Sequence, residues 1–211
     1  MRSLITAVTA AALVVFVVAP AGATPLTPGT TGTFTPTLSL TSGTFLASMT
    51  GTFSQGSEVG DIMSMVFDMG GGIERFLYKV DDTSGDVARV TVSGYDGALF
   101  SLINAISDPF MMGGGTVVPL TAFYNTNGTA GADFGNTNST TVNPAQPSSV
   151  WFGFDVQANS FRTVNIGVLD SIGTNTSGFA PEVVPEPVTL VLCGLGLAGL
   201  ALLRRRSVRR A

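Results

Sequence analysis

Val150-Trp151-Phe152-Gly153-Phe154-Asp155-Val156-Gln157 is followed, after Ala158-Asn159-Ser160, by Phe161-Arg162-Thr163-Val164-Asn165-Ile166-Gly167-Val168-Leu169. Both stretches repeat with a period of two, the signature of a β-strand with one face turned to a core. Phe152, Phe154 and Val156 oppose Trp151, Gly153 and Asp155, so the first stretch reads as a half-buried strand. Val164, Ile166 and Val168 point inward from the second, and the three residues between supply a short turn. The same alternation recurs in Ile73–Val80, where Phe76, Tyr78 and Val80 share one face and Arg75, Leu77 and Lys79 the other. Further strand candidates are Ile62–Met69, Val87–Tyr95 and Thr116–Tyr124, while Ala98–Ile106 reads equally as strand or short helix. Gly32-Thr33-Phe34, Gly43-Thr44-Phe45 and Gly51-Thr52-Phe53 recur at spacings of 11 and 8, which matches successive antiparallel strands. The expectation is an all-β fold: an antiparallel, jelly-roll-like β-sandwich of eight to ten strands over residues 24–173. Asn125–Ser149, rich in Asn and poor in apolar residues, reads as a long loop, and residues 174–184 as a linker.

Composition narrows the chemistry. The 211 residues include no His and one Cys, with 45% hydrophobic and 11% charged residues. Without His there is no Ser-His-Asp or Cys-His catalysis and no imidazole metal site, and a lone Cys makes no intrachain disulfide. Residues 24–183 hold Arg75, Lys79, Arg89 and Arg162 against 13 carboxylates, a net charge of −9. So acidic a surface argues against a nucleic-acid partner, because phosphate binding needs neutralising cations.

The apolar excess lies at the two ends. Met1-Arg2-Ser3 precedes an apolar run from Leu4 to Val18, then Pro20 and Ala21-Gly22-Ala23. A positive start, a short apolar run and the small residues Ala21 and Ala23 read as a signal peptide over residues 1–23, cut by signal peptidase after Ala23. At the other end, Val184-Pro185-Glu186-Pro187 is followed by an apolar run 16 residues long, Val188–Leu203, and by Arg204, Arg205, Arg206, Arg209 and Arg210. As a helix that run reaches roughly 24 Å, and flanking arginine stems can snorkel to the interface. Lys and Arg stay on the cytoplasmic side, so the five arginines act as a stop signal and leave residues 24–183 outside. That orientation agrees with the one set by the N-terminal signal.

A proline-flanked glutamate, a short Gly/Leu/Ala-rich apolar helix and a terminal arginine cluster together resemble the PEP-CTERM sorting signal of Gram-negative bacteria. The resemblance is confined to Val184–Arg210, with the sorting signal over residues 185–211. It implies recognition of Pro185, Glu186 and Pro187 by the membrane protease-transpeptidase exosortase, removal of the tail, and delivery to the outer envelope or an exopolysaccharide matrix. The chain would then pass through a membrane-anchored intermediate with its C-terminus in the cytoplasm.

Within the exported part, two features invite a ligand. Asp81-Asp82-Thr83-Ser84-Gly85-Asp86 gathers Asp81, Asp82 and Asp86 in six residues, an oxygen-rich loop of the kind that holds Ca²⁺, and equally a solvated hairpin turn. No other cofactor is indicated. Trp151, with Tyr78, Tyr95 and Tyr124, offers flat faces for sugar rings, Trp151 most directly because its face opposes Phe152 and Phe154. Burial of that tryptophan is the competing outcome. No catalytic residues stand out, and two carboxylates working as a glycosidase pair are the only enzymatic alternative. The expectation is a structural or adhesive surface or matrix protein, with an exopolysaccharide-binding module as the alternative.

Overall fold

The structure, a computed structural model, describes residues 24–36, 42–96, 100, 102–108, 113–135, 137, 140–169 and 173–182, and all regular structure among them is strand. The strands are β1 (Thr24–Leu26), β2 (Thr30–Gly32), β3 (Thr35–Pro36), β4 (Thr44–Gln55), β5 (Glu58–Gly70), β6 (Ile73–Ser84) and β7 (Arg89–Ser93). They continue as β8 (Ile103–Asp108), β9 (Thr121–Tyr124), β10 (Thr129–Asp133), β11 (Trp151–Gln157), β12 (Phe161–Leu169) and β13 (Gly173–Pro181). One sheet runs β1-β8-β11-β6-β5-β4, with β3 also on β8; the other runs β13-β12-β7-β10-β9-β2. Every pairing is antiparallel except β3 with β8.

Alternation fills the space between the sheets. Phe76, Tyr78 and Val80 of β6 and Phe152, Phe154 and Val156 of β11 enter one core with Val90 and Val92 of β7, Ala130 and Ala132 of β10, and Ile166 and Val168 of β12. The two antiparallel sheets therefore share a single core, the arrangement of a sandwich. Small residues on β10 leave room for the large rings of the facing sheet: Phe152 makes edge contacts with Phe34 and Phe134, and Phe154 with Tyr95. Buried phenols need partners, and they find them. Tyr78 and Tyr95 hydroxyls lie 3.0 Å apart, Tyr78 donates to the Phe179 carbonyl at 2.6 Å, and Tyr124 donates to the Phe100 carbonyl at 2.6 Å.

The sheet edges are built differently. The β8 edge is covered by the short strands β1 and β3, which carry Pro25 and Pro36; β2 is three residues long. β13 leans over the inner face of β4: a Cβ added to Gly51 would lie 2.3 Å from Thr176 Oγ1 and 2.4 Å from the Ser177 carbonyl. Its Phe179 amide donates to Ser64 Oγ at 3.0 Å, beside the Tyr78 bond to the same residue's carbonyl.

Several expectations hold and several do not. Phe161–Leu169 is a strand with the expected bounds, and the expected faces of β6 and β11 are observed. The 158–160 turn does not make a hairpin, because β11 and β12 belong to different sheets and the chain crosses between them there. Gly43-Thr44-Phe45 and Gly51-Thr52-Phe53 fall on or beside one strand, β4, rather than on successive strands. The expected 125–149 loop contains β10, whose Ala130, Gly131 and Ala132 are buried. The linker expected over 174–184 is strand β13 as far as Pro181, so the folded unit runs past residue 173. Thr174, Thr176, Gly178 and Ala180 supply its buried face with small residues, a pattern without the apolar side chains that announce a strand. The expected signal peptide and C-terminal helix lie outside the described residues. No helix among the described residues is long and apolar enough to cross a membrane.

Candidate functional site

The acidic stretch is the first candidate, and the pleat takes it apart. β6 continues through Ser84, so Asp81 and Asp82 sit on consecutive strand positions and point to opposite faces. Asp81 lies on the outer face, where Lys79 Nζ approaches at 2.8 Å and the Ser148 hydroxyl donates to it. Asp82 is buried and accepts the Ser84 amide at 3.1 Å. Asp86 accepts Thr141 Oγ1 at 3.0 Å, and its own amide donates to Glu58 Oε2 at 3.2 Å. Asp81, Asp82 and Asp86 therefore do not converge as a calcium loop requires, and the hairpin-turn reading fails as well. Among the described residues, no three acidic or Cys side chains are grouped to hold a metal ion.

Glu58 is the member of this region that the sequence reading missed. It is buried under the turn, and a Cβ added to Gly85 would lie 2.2 Å from its Oε2. Gly85 has φ of 108°, so the position needs glycine for its backbone as well as for the carboxylate beneath it. The glycine at Gly85, between Ser84 and Asp86, is the available signal.

Two acids elsewhere act on their own backbone. Asp68 accepts the Gly70 amide at 2.7 Å and Asp133 the Gly135 amide at 2.8 Å, the same two-residue reach that Asp82 makes to Ser84. These are Asx turns, in which the carboxylate closes the chain reversal. Arg89 binds Asp133 and, with the Gly135 amide, holds its pKa below the usual value despite partial desolvation. Glu74 differs: Oε2 is buried without a hydrogen-bond partner, and burial, then the Asp68 charge, raises its pKa.

Trp151 is the second candidate. It is on the outer face of the seven-stranded sheet, as the alternation requires, but it is 3% exposed. Phe67, Leu77 and Ile106 form a second cluster with it, and Met63, Met65 and Met69 of β5 pack against that cluster. Its Nε1 has no hydrogen-bond partner. Two rows further along the same face, Arg75 and Asp155 make a bidentate pair at 2.7 and 2.9 Å across β6 and β11. A ring this enclosed presents no face to a sugar, so Trp151 is withdrawn as a glycan contact. Tyr78, Tyr95 and Tyr124 are withdrawn too: all are fully buried, and burial raises the pKa of each, that of Tyr124 to about 12.

The remaining positions singled out in the sequence, Ala21, Ala23, Pro185, Glu186, Pro187 and Arg204 to Arg210, lie outside the described residues. The structure thus separates the three aspartates, encloses the aromatics, and uses Asp68, Asp81, Asp82, Asp133 and Asp155 to close turns or ion pairs. No family model matches the chain, and no curated protein or solved structure is found to match it.

Proposed function

We propose that this chain is an exported bacterial surface or matrix protein with a structural or adhesive role, sorted through Pro185, Glu186 and Pro187 by an exosortase. The observation that carries the reading is the pair of terminal segments, which independently assign the same side of the membrane to residues 24–183. In this reading signal peptidase removes residues 1–23, Val188–Leu203 holds a transient intermediate, and the mature domain goes to the outer envelope or the exopolysaccharide matrix.

The domain's build is consistent with a structural role. Its chain crosses repeatedly between the two sheets, which supports a jelly-roll-like sandwich. With β13 ending at Pro181, only Glu182, Val183 and Val184 stand in sequence between β13 and Pro185. Three extended residues span about 10 Å. In this reading the sorting motif begins three residues after β13 rather than after a longer tether.

The test is the intact mass of the protein recovered from its native host's envelope and medium. A mass running from residue 24 to about residue 187, with any added group at the new C-terminus, is the expected result. A mass running through Ala211, found only in membranes, would overturn the sorting reading and leave a plain membrane anchor.

A further inference from the structure

β4 carries an open edge. It pairs with β5 on one side, and among the described residues no hydrogen bond reaches it from the other. At 12 residues it is long for an edge strand, and Thr44–Gln55 contains neither a charge nor a proline. Folded proteins ordinarily blunt such edges with charge, proline or brevity, because unpaired amides and carbonyls template pairing with another chain. The one irregularity is a bulge between Phe45 and Ala47, which leaves Ala47–Gln55 as a regular ladder of nine residues.

The exposed side chains of that ladder are Ser48, Thr50, Thr52 and Ser54, with Gln55 at its end, and the first four alternate along one face. Read in either direction those four spell Ser-Thr-Thr-Ser, symmetric about Gly51. An antiparallel two-fold at Gly51 sets Ser48 opposite Ser54 and Thr50 opposite Thr52 of a second copy. Hydroxyl pairs of this kind stabilise neighbouring strands, and self-complementarity is what a two-fold interface requires.

Electrostatics point to the same edge. The domain carries a net charge of −9, so most of its surfaces repel a second copy. At β4 the acids nearest the edge with any exposure, Asp61 and Asp68, belong to β5. In a joined sheet the two β5 strands lie three strand spacings apart, about 14 Å. That exceeds the screening length of about 8 Å at physiological salt.

We propose that β4 is a homotypic docking edge, where two copies join their seven-stranded sheets through antiparallel β4–β4 pairing centred on Gly51. This stands independently of where the protein is sorted.

The test compares the full chain in mild detergent with two variants, Thr50→Lys/Thr52→Lys and Thr50→Glu/Thr52→Glu, by sedimentation. The wild type is expected to dimerise with concentration. Each variant alone loses the dimer through like charges set opposite one another, and an equimolar mixture of the two regains it. Such rescue cannot come from misfolding. Hydrogen exchange on the wild type supplies a check that needs no variant, since amides in Ala47–Gln55 should slow as the dimer forms. A monomer at every concentration, a dimer that survives both variants, or exchange in Ala47–Gln55 that is independent of concentration would overturn the proposal.

Discussion

β4 and β13 border the same side of the molecule, and their sequences are alike in kind. Both are long, both are free of charge, and both mix Thr, Ser and Gly with a phenylalanine. Their surroundings are opposite. The open side of β13 is turned inward, where Ser64 accepts from the Phe179 amide and Tyr78 donates to its carbonyl. β4 receives nothing comparable on its open side among the described residues. An uncharged edge strand is thus made safe by two hydroxyls from the facing sheet, or left available. Strand composition alone does not distinguish the two outcomes.

Breaking the contact between the strands should have the largest effect. Gly51→Val places side-chain atoms where Thr176 and Ser177 already lie, and most of what they meet is backbone. It should cost about 3 kcal/mol or more, read as the shift in a denaturant midpoint. A change below about 0.5 kcal/mol would mean that β13 does not lie against β4. Next comes the cap itself. Tyr78→Phe strips the Phe179 carbonyl and the Tyr95 hydroxyl of a buried partner and should cost about 2–3 kcal/mol. Ser64→Ala frees one amide and should cost about 1–2 kcal/mol. Because both act on Phe179, the double variant should lose less than the sum, whereas additive losses would separate the two caps.

Alkali reaches the same cap without mutation. Tyr78 and Tyr95 have raised pKa values, first because burial disfavours the phenolate. A raised folded pKa means that stability is complete below the unfolded value of about 10 and falls as the unfolded chain alone ionises. Stability should therefore drop above about pH 10, with amides of β13 exchanging first; loss beginning near neutrality would contradict this origin. β4 has no titratable group, so those of its amides that pair with β5 should follow only global unfolding. The smallest effect is expected at Thr50→Lys on β4, which should leave monomer stability within about 0.5 kcal/mol, since that side chain is exposed. A larger loss would show that the edge is already occupied.

What the sequence made legible follows from what alternation encodes. It assigned faces within single strands: Phe76, Tyr78 and Val80, or Val164, Ile166 and Val168, lie where the period of two puts them. It could not say which strand covers which. Trp151 was rightly set opposite Phe152 and Phe154, yet its burial depends on Phe67 and three methionines of β5, more than 80 positions away. Parity also fails at a bulge. Phe45 and Phe53 are eight apart and should share a face, but the extra residue after Phe45 turns it outward to 55% exposure while Phe53 is buried. β13 resembles a linker in sequence because its buried positions are Thr174, Thr176, Gly178, Ala180 and Pro181, which carry almost no apolar signal. The acidic stretch looked like a site because its carboxylates are close in sequence. In a strand, adjacent carboxylates are among the least able to meet.

The Tyr78–Phe179 bond joins residues 101 positions apart, and the Ser64–Phe179 bond residues 115 apart. β13 is the last described strand in chain order, so it is also the last of them to be synthesised. The hydroxyls of Ser64 and Tyr78 are made early and wait for a backbone that arrives late. Pairings at such separation are slow to form, because the intervening chain must first be ordered. Completion of residues 173–181 is thus the event that closes the side of the molecule where β4 lies. A chain halted before that strand leaves a seam open along its core.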